Sequence, residues 1–132
     1  MGSVIDSSIL VAAQRGHLDL PAALNDHRDE TFAISAVTAS ELLHGVHRVA
    51  SSKRGATEVF VEGLQQRLPV LPFDLQSARV HARMWADAVS SGNQIGERDL
   101  MIAATALANG HSVVTRDRRS FPRIPGLTVL HW

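Results

Sequence analysis

The sequence predicts an α/β fold: a three-layer α/β/α sandwich around a mainly parallel sheet of four to five strands. Short apolar runs alternate along the chain with longer stretches whose apolar residues recur at helical spacing. Repeated strand–helix–strand order places successive strands parallel in one sheet with helices on its faces. The joining segments are short, and no linker or internal repeat divides the 132 residues, so the chain reads as one domain over 1–132.

Ser3-Val4-Ile5 is a short apolar run that ends at Asp6 and reads as a buried strand. Gly2-Ser3 is also compatible with a remnant of cloning. Ser7 to Arg15 is helical and is broken by Gly16. Leu20 to Asn25 forms a short helix with Pro21 in its first turn. Thr31 to Ile34 is the second strand, followed by a helix from about Ala36 to Ala50 with Ala39, Leu42, Leu43, Val46 and Val49 as its apolar stripe. Ser51-Ser52 is the expected turn into a helix from about Lys53 to Gln66 that buries Ala56, Val59, Phe60 and Leu64. Pro69 to Pro72 is the third strand. Asp74 caps a long helix in which Ala78, Ala82, Trp85 and Val89 share a face, and Ser91-Gly92-Asn93 ends it. Asp99 stands at the mouth of the next helix, which carries Leu100, Ala103, Ala104 and Leu107 and stops at Asn109-Gly110. Ser112 to Thr115 and Leu127 to His131 complete the strands.

The formal net charge is zero, so no global field draws the chain to nucleic acid or membrane. Of the 13 basic residues only Lys53 is a lysine, and arginine is the better bidentate partner for phosphate. Arg116, Arg118, Arg119 and Arg123 cluster near the C-terminus, either as a solvated turn or as a phosphate-contacting patch. The absence of cysteine excludes disulfides, thiolate catalysis and a cysteine zinc site, and it fits a reducing cytoplasm. There is no basic leader before Asp6, no Ser or Thr at position 6 for myristoylation, and no apolar run of membrane-spanning length. The expectation is a soluble cytoplasmic protein.

Ligands of an open parallel sheet bind beyond the carboxyl ends of its strands. Asp6 directly follows the first strand, Asp117 follows the fourth by two residues, Glu41 lies about a turn into the helix after the second, and Asp99 opens the helix that feeds the fourth. Each also has a structural reading. Asp6 is placed to cap a helix and Asp117 to make a turn. Thr38-Ala39-Ser40-Glu41 spells a capping box, and Glu41 lies on the polar side with His44 and Arg48. Asp99 and Glu97 complement a helix dipole. As a set, four acids converging without Lys or Arg between them would repel and raise one another's pKa values, and Arg98 beside Asp99 points elsewhere. A hard divalent cation removes that repulsion, because Mg²⁺ and Mn²⁺ prefer oxygen ligands. His44 and His47 share a helix face but lack the glutamate of a zinc-protease motif.

Ile5-Asp6-Ser7-Ser8, then Ser35 through Gly45, then Ile95-Gly96 with Asp99 through Ala104, then Val114-Thr115-Arg116-Asp117 with Phe121 give an ordered set that resembles the PIN-domain ribonucleases. In its compact size the chain is similar to the VapC toxins of toxin–antitoxin pairs, and the likeness extends to Pro125-Gly126-Leu127. The resemblance implies a metal-dependent endoribonuclease. It implies Asp6 and Asp99 as core ligands of Mg²⁺ or Mn²⁺, with Glu41 and Asp117 completing the site directly or through water. Ser7 and Thr115 match small polar positions beside the acids. Glu97 has no firm counterpart and reads as an outer acid or a first-turn charge.

The partners implied are an RNA substrate, a cognate antitoxin and a second copy of the chain in a homodimer, with no membrane. Arg116, Arg118 and Arg119 are the expected RNA contacts, and the small and apolar residues of the hairpin around Gly45 to Gln66 serve either as a protein interface or as packing onto the domain's own core. With few aromatics there is no stacking platform, so shape and backbone recognition of a structured RNA is expected. Ser8 stands where a haloacid-dehalogenase-type phosphatase needs its second aspartate, and a receiver domain lacks its lysine here. The alternative left is a catalytically silent PIN-like RNA-binding or protein-interaction module.

Overall fold

The computed structural model describes residues 2–132. Strands β1 (Gly2–Ile5), β2 (Thr31–Ser35), β3 (Val70–Leu71), β4 (Ser112–Thr115) and β5 (Val129–His131) form one sheet in the order β3-β2-β1-β4-β5, and every pairing is parallel. Helices α1 (Ser7–Gln14), α2 (Leu20–Asp26), α3 (Ala36–Arg48), α4 (Ser51–Arg67), α5 (Leu75–Ser91) and α6 (Glu97–Ala108) alternate with them, and a 3-10 turn spans Phe121–Arg123. The chain winds outward from β1 through β2 to β3, then returns to the other side of β1 for β4 and β5. The carboxyl end of β1 is therefore the topological switch point, where such sheets open a crevice.

Alternation along the strands builds the three layers. Ile5, Ile34 and Val114 pack with Ile9, Leu42 and Val61 from α1, α3 and α4. Their neighbours Val4 and Val113 face the opposite way, onto Leu100, Ile102 and Ala103 of α6 and onto Phe121. Being wedged against the sheet and α5, α6 is buried almost all round: Ile102, Ala103, Ala104, Thr105 and Ala106 are inaccessible.

Several local expectations are corrected. Gly2 and Ser3 are buried strand residues, with Gly2 paired to Thr31, rather than an appended tail. A Cβ at Gly2 would come within 2.5 Å of the His111 ring, so the sheet edge is fitted to glycine there. Ser51-Ser52 begin α4, and the turn falls at Val49-Ala50. On α4 the buried residues are Thr57, Val61 and Leu64, while Val59 is 72% exposed. The Thr57 hydroxyl is satisfied by the Lys53 carbonyl at 3.0 Å, so a threonine can occupy the inner face. On α5 the predicted stripe faces outward. Trp85 is 57% and Val89 71% exposed, and Ser77 and Ala88 are the buried residues.

Candidate active site

Asp6 leaves β1 at the switch point and caps α1, only 4% exposed. Its Oδ2 accepts from the Ser8 hydroxyl at 2.7 Å and from the Thr115 hydroxyl at 2.9 Å. Its Oδ1 has only the Ser7 hydroxyl nearby, at 3.5 Å, too long for a strong bond. One oxygen is anchored while the other keeps its lone pairs for a ligand. The Ser8 oxygen also accepts the Arg116 backbone N–H at 3.0 Å, and the Thr115 oxygen accepts that of Asp117 at 2.9 Å. Two hydroxyls thus tie the exit of β1 to the exit of β4.

Asp117 is held by the turn it makes. Its Oδ1 accepts from the Arg119 N–H at 2.8 Å and its Oδ2 from the Ser120 N–H at 3.2 Å. Burial pushes this carboxyl up, but those two N–H groups, with the Ser120 hydroxyl and the Arg119 charge, together outweigh it and leave the pKa below the usual carboxylate value.

Glu41 and Asp99 are in the opposite condition. The capping-box reading of Glu41 fails, because Ser35 is the N-cap of α3 and its Oγ accepts the Thr38 N–H at 3.0 Å. Glu41 comes almost two turns into the helix, half-buried, with its Oε1 enclosed and unpartnered. Burial pushes its carboxyl up, the charges of Asp6 and Asp99 add to that, and Arg98 and Ser7 offset part of it. Arg98 therefore acts on Glu41, across from α6, rather than on its neighbour Asp99. Asp99, half-buried in the first turn of α6, is raised by burial and further by Asp6 and Asp117, against an opposing contribution from the Ser120 hydroxyl. Gly96 makes room for it: a Cβ there would lie 3.3 Å from Asp99 Oδ2.

The mutual influence of these groups brings all four predicted acids to one rim. Asp6, Asp99 and Asp117 line a common cleft of about 420 Å³ with Ser7, Ser8, Val11, Ala12, Arg15 and His17. Among the described residues no three acidic or imidazole side chains close into a ready-made metal cage. The donor set nonetheless fits a hard divalent ion: all oxygen, mostly half-buried, with free lone pairs at Asp6 Oδ1 and Glu41 Oε1.

Ser7 and Thr115 lie beside the acids as expected. Glu97 is exposed and lines a separate cavity with His81, Trp85 and Ile95, so it is a first-turn charge and stands outside the cleft. Arg116, Arg118 and Arg119 are exposed and do not line the cleft, although the backbone of two of them braces it. Sequence reasoning missed Ser8 and Ser120 as bracing hydroxyls and Arg15 and His17 as cleft residues.

The sequence and this fold have known relatives. The sequence matches the PIN domain family over residues 3–127. The chain belongs to the PIN domain family. It is 35% identical over 131 residues to a ribonuclease VapC of Rickettsia bellii, covering 98% of this chain and 96% of the relative. It is 36% identical over 99 residues to a tRNA(fMet)-specific endonuclease VapC of Salmonella typhimurium, covering 75% of this chain and 74% of that protein. The crystal structure of DNA-bound VapBC from Salmonella typhimurium superposes with a TM-score of 0.91 at 28% identity, covering all of this chain and 98% of the other. The three-layer fold is thus that of VapC proteins. Among the described residues no helix of this PIN-domain chain is long and apolar enough to cross a membrane.

Proposed function

We propose that this PIN-domain protein is an endoribonuclease toxin that hydrolyses RNA phosphodiester bonds with a divalent ion, Mg²⁺ or Mn²⁺, held at the switch-point cleft. The observation that carries the reading is the unbalanced set of four carboxylates, in which Glu41 and Asp99 are raised by burial and by their acidic neighbours. A structural network would pair these charges; a site that receives a cation leaves them open.

Asp6 Oδ1 and Asp99 would hold the ion, with Glu41 and Asp117 completing the set directly or through water. When bound, the ion supplies charge neutralisation at the scissile phosphate and a water of lowered pKa. The residues do the rest. Thr115 and Ser8 fix the Asp6 carboxylate, the Ser120 N–H holds the Asp117 turn beside it, and the apolar body of α6 fixes the aim of Asp99. In-line attack of water on the phosphorus, with the 3′ oxygen as the leaving group, would give 5′-phosphate and 3′-hydroxyl ends. The tRNA(fMet)-specific relative makes a structured RNA the first substrate to try.

Purified protein free of any antitoxin should cut such an RNA with Mg²⁺ or Mn²⁺, lose that activity in EDTA, and lose at least about 100-fold in rate in Asp6→Asn. Cleavage that survives both changes would reject the site. Absence of both cleavage and metal binding would favour a silent interaction module.

Two further surfaces fit the partners of VapBC complexes. A groove between α4 and the α1–α2 connection, lined by Leu18, Pro21, Val59, Phe60 and Leu64, is assigned to an antitoxin segment. The outward face of α5 around Trp85 and Val89 is assigned to a second copy of the chain. Val89→Glu should convert a dimer to a monomer by light scattering; a dimer that persists places the contact elsewhere.

A further inference from the structure

We infer that Arg15, at the far end of the helix that begins with Asp6, grips an RNA phosphate flanking the scissile one, so that substrate runs along α1 rather than over the C-terminal arginine cluster. The inference rests on the nuclease reading of the cleft and adds a substrate-positioning residue to it. Its basis is local geometry. Arg15 is the C-cap of α1, and Gly16 follows in the left-handed region at φ +76°. The Gly16 N–H donates to the Ala13 carbonyl at 3.1 Å and the His17 N–H to the Ala12 carbonyl at 2.8 Å. These two bonds are the paired closure that a left-handed glycine makes at a helix end, and they fix the chain on both sides of the pivot.

The consequence is that Arg15 and His17 both line the cleft that holds Asp6, Asp99 and Asp117, with Val11 and Ala12 as the apolar strip between. The nine-residue separation from Asp6 to Arg15 amounts to about 13 Å along the helix. Arg15 is not among the charges that act on Glu41, Asp99 or Asp117, and from the same cleft it is available to a polyanion whose reacting group lies over them. A guanidinium fork suits a phosphate better than an ammonium would. By contrast Arg116, Arg118 and Arg119 are turned out of this cleft. The other function open to Arg15 is complementing the α1 dipole, which involves no RNA.

The test is binding of a fluorescein-labelled stem–loop RNA to the Asp6→Asn protein over a salt series, together with steady-state cleavage by the otherwise wild-type enzyme. Arg15→Ala should weaken binding about tenfold and reduce the slope of log Kd against log salt by about 0.7 to 0.9, the loss of one phosphate contact. It should raise KM with little change in kcat. Arg15→Lys should keep the slope and recover part of the affinity. A helix-dipole role alone would move the melting temperature and leave slope and KM unchanged, which overturns the inference while the wild type still cuts. A slope lost in Arg118→Ala and kept in Arg15→Ala overturns it as well, by routing the RNA over the Asp117 turn. If the wild type neither binds nor cuts RNA, the nuclease reading falls and takes this inference with it.

Discussion

The two walls of the cleft are built from the same residue type and held in opposite ways. On the wall formed by the exits of β1 and β4, the Asp6 and Asp117 carboxylates accept from four hydroxyl and backbone donors at 3.2 Å or less, and the Asp117 N–H donates to the Thr115 hydroxyl as a tie between the strands. On the side formed by α3 and α6, Glu41, at the rim beyond the residues that line the cleft, keeps a buried oxygen with no partner, and burial raises both Glu41 and Asp99 from the ordinary carboxylate value. One wall is finished by folding; the other is left wanting positive charge. A fixed wall gives a ligand a defined position, and an unsatisfied wall gives it a reason to bind.

The contrast is broken most severely by cutting the tie on the finished wall. Thr115 is fully buried and its hydroxyl both donates to Asp6 and accepts from the Asp117 N–H. Thr115→Val keeps the shape, takes one of two donors from Asp6 Oδ2 and orphans the Asp117 N–H, so it should cost about 1–3 kcal/mol in denaturant unfolding. It should also weaken metal binding or activity about 10- to 100-fold, as loss of a ligand's bracing partner does. If stability falls while metal affinity and activity hold, the hydroxyl is bracing the fold and not the ligand.

What the sequence made legible follows the same division between local and non-local causes. Strands and helices were readable because their periods are local: Val4 and Ile5 face opposite layers simply by being neighbours in a strand. The outward stripe of α5 shows the limit. Periodicity reports that a helix has an apolar face and is silent on what that face meets, so Trp85 and Val89 read as core. Glu41 was obscured by a four-residue string that mimics a cap, overridden by Ser35 one turn earlier. The four acids were legible because each follows an element that the topology delivers to one edge. Ser8 was not, because its value lies in meeting Thr115 and Arg116 more than a hundred positions away. The side chain of Ser77, buried with its hydroxyl unpartnered, has no account in either sequence or packing.

A smaller effect of opposite sign is expected on the unfinished wall. Glu41→Gln removes a half-buried charge that faces two other carboxylates, and its amide can donate to them. In EDTA the variant should be more stable than wild type by about 0.5–1 kcal/mol, the low end for relieving an unmade buried interaction because the group is half exposed. The melting temperature should rise by about 2–4 °C, with cleavage lost. A lower melting temperature would mean that Arg98 already satisfies Glu41, and the two walls would then be alike.

The smallest expected signal is in pH, and it separates the walls by direction. Glu41 and Asp99 hold protons more tightly in the folded chain than in the unfolded one. Between the ordinary carboxylate value and the raised one, the folded state therefore binds more protons, and stability falls as pH rises through that window. Asp117 runs the other way: lowered by its turn, it contributes fully above the ordinary carboxylate value and is lost as pH falls through its lowered one. Melting of the metal-free protein from about pH 3 to 7, compared with Glu41→Gln/Asp99→Asn, isolates the first pair from every other titrating group. The wild type should lose ground to the double variant as pH rises, and saturating Mg²⁺ should reverse that order, because a cation binds the ionised carboxylates. Parallel curves with and without the ion would leave the unfinished wall without the ligand its charges call for.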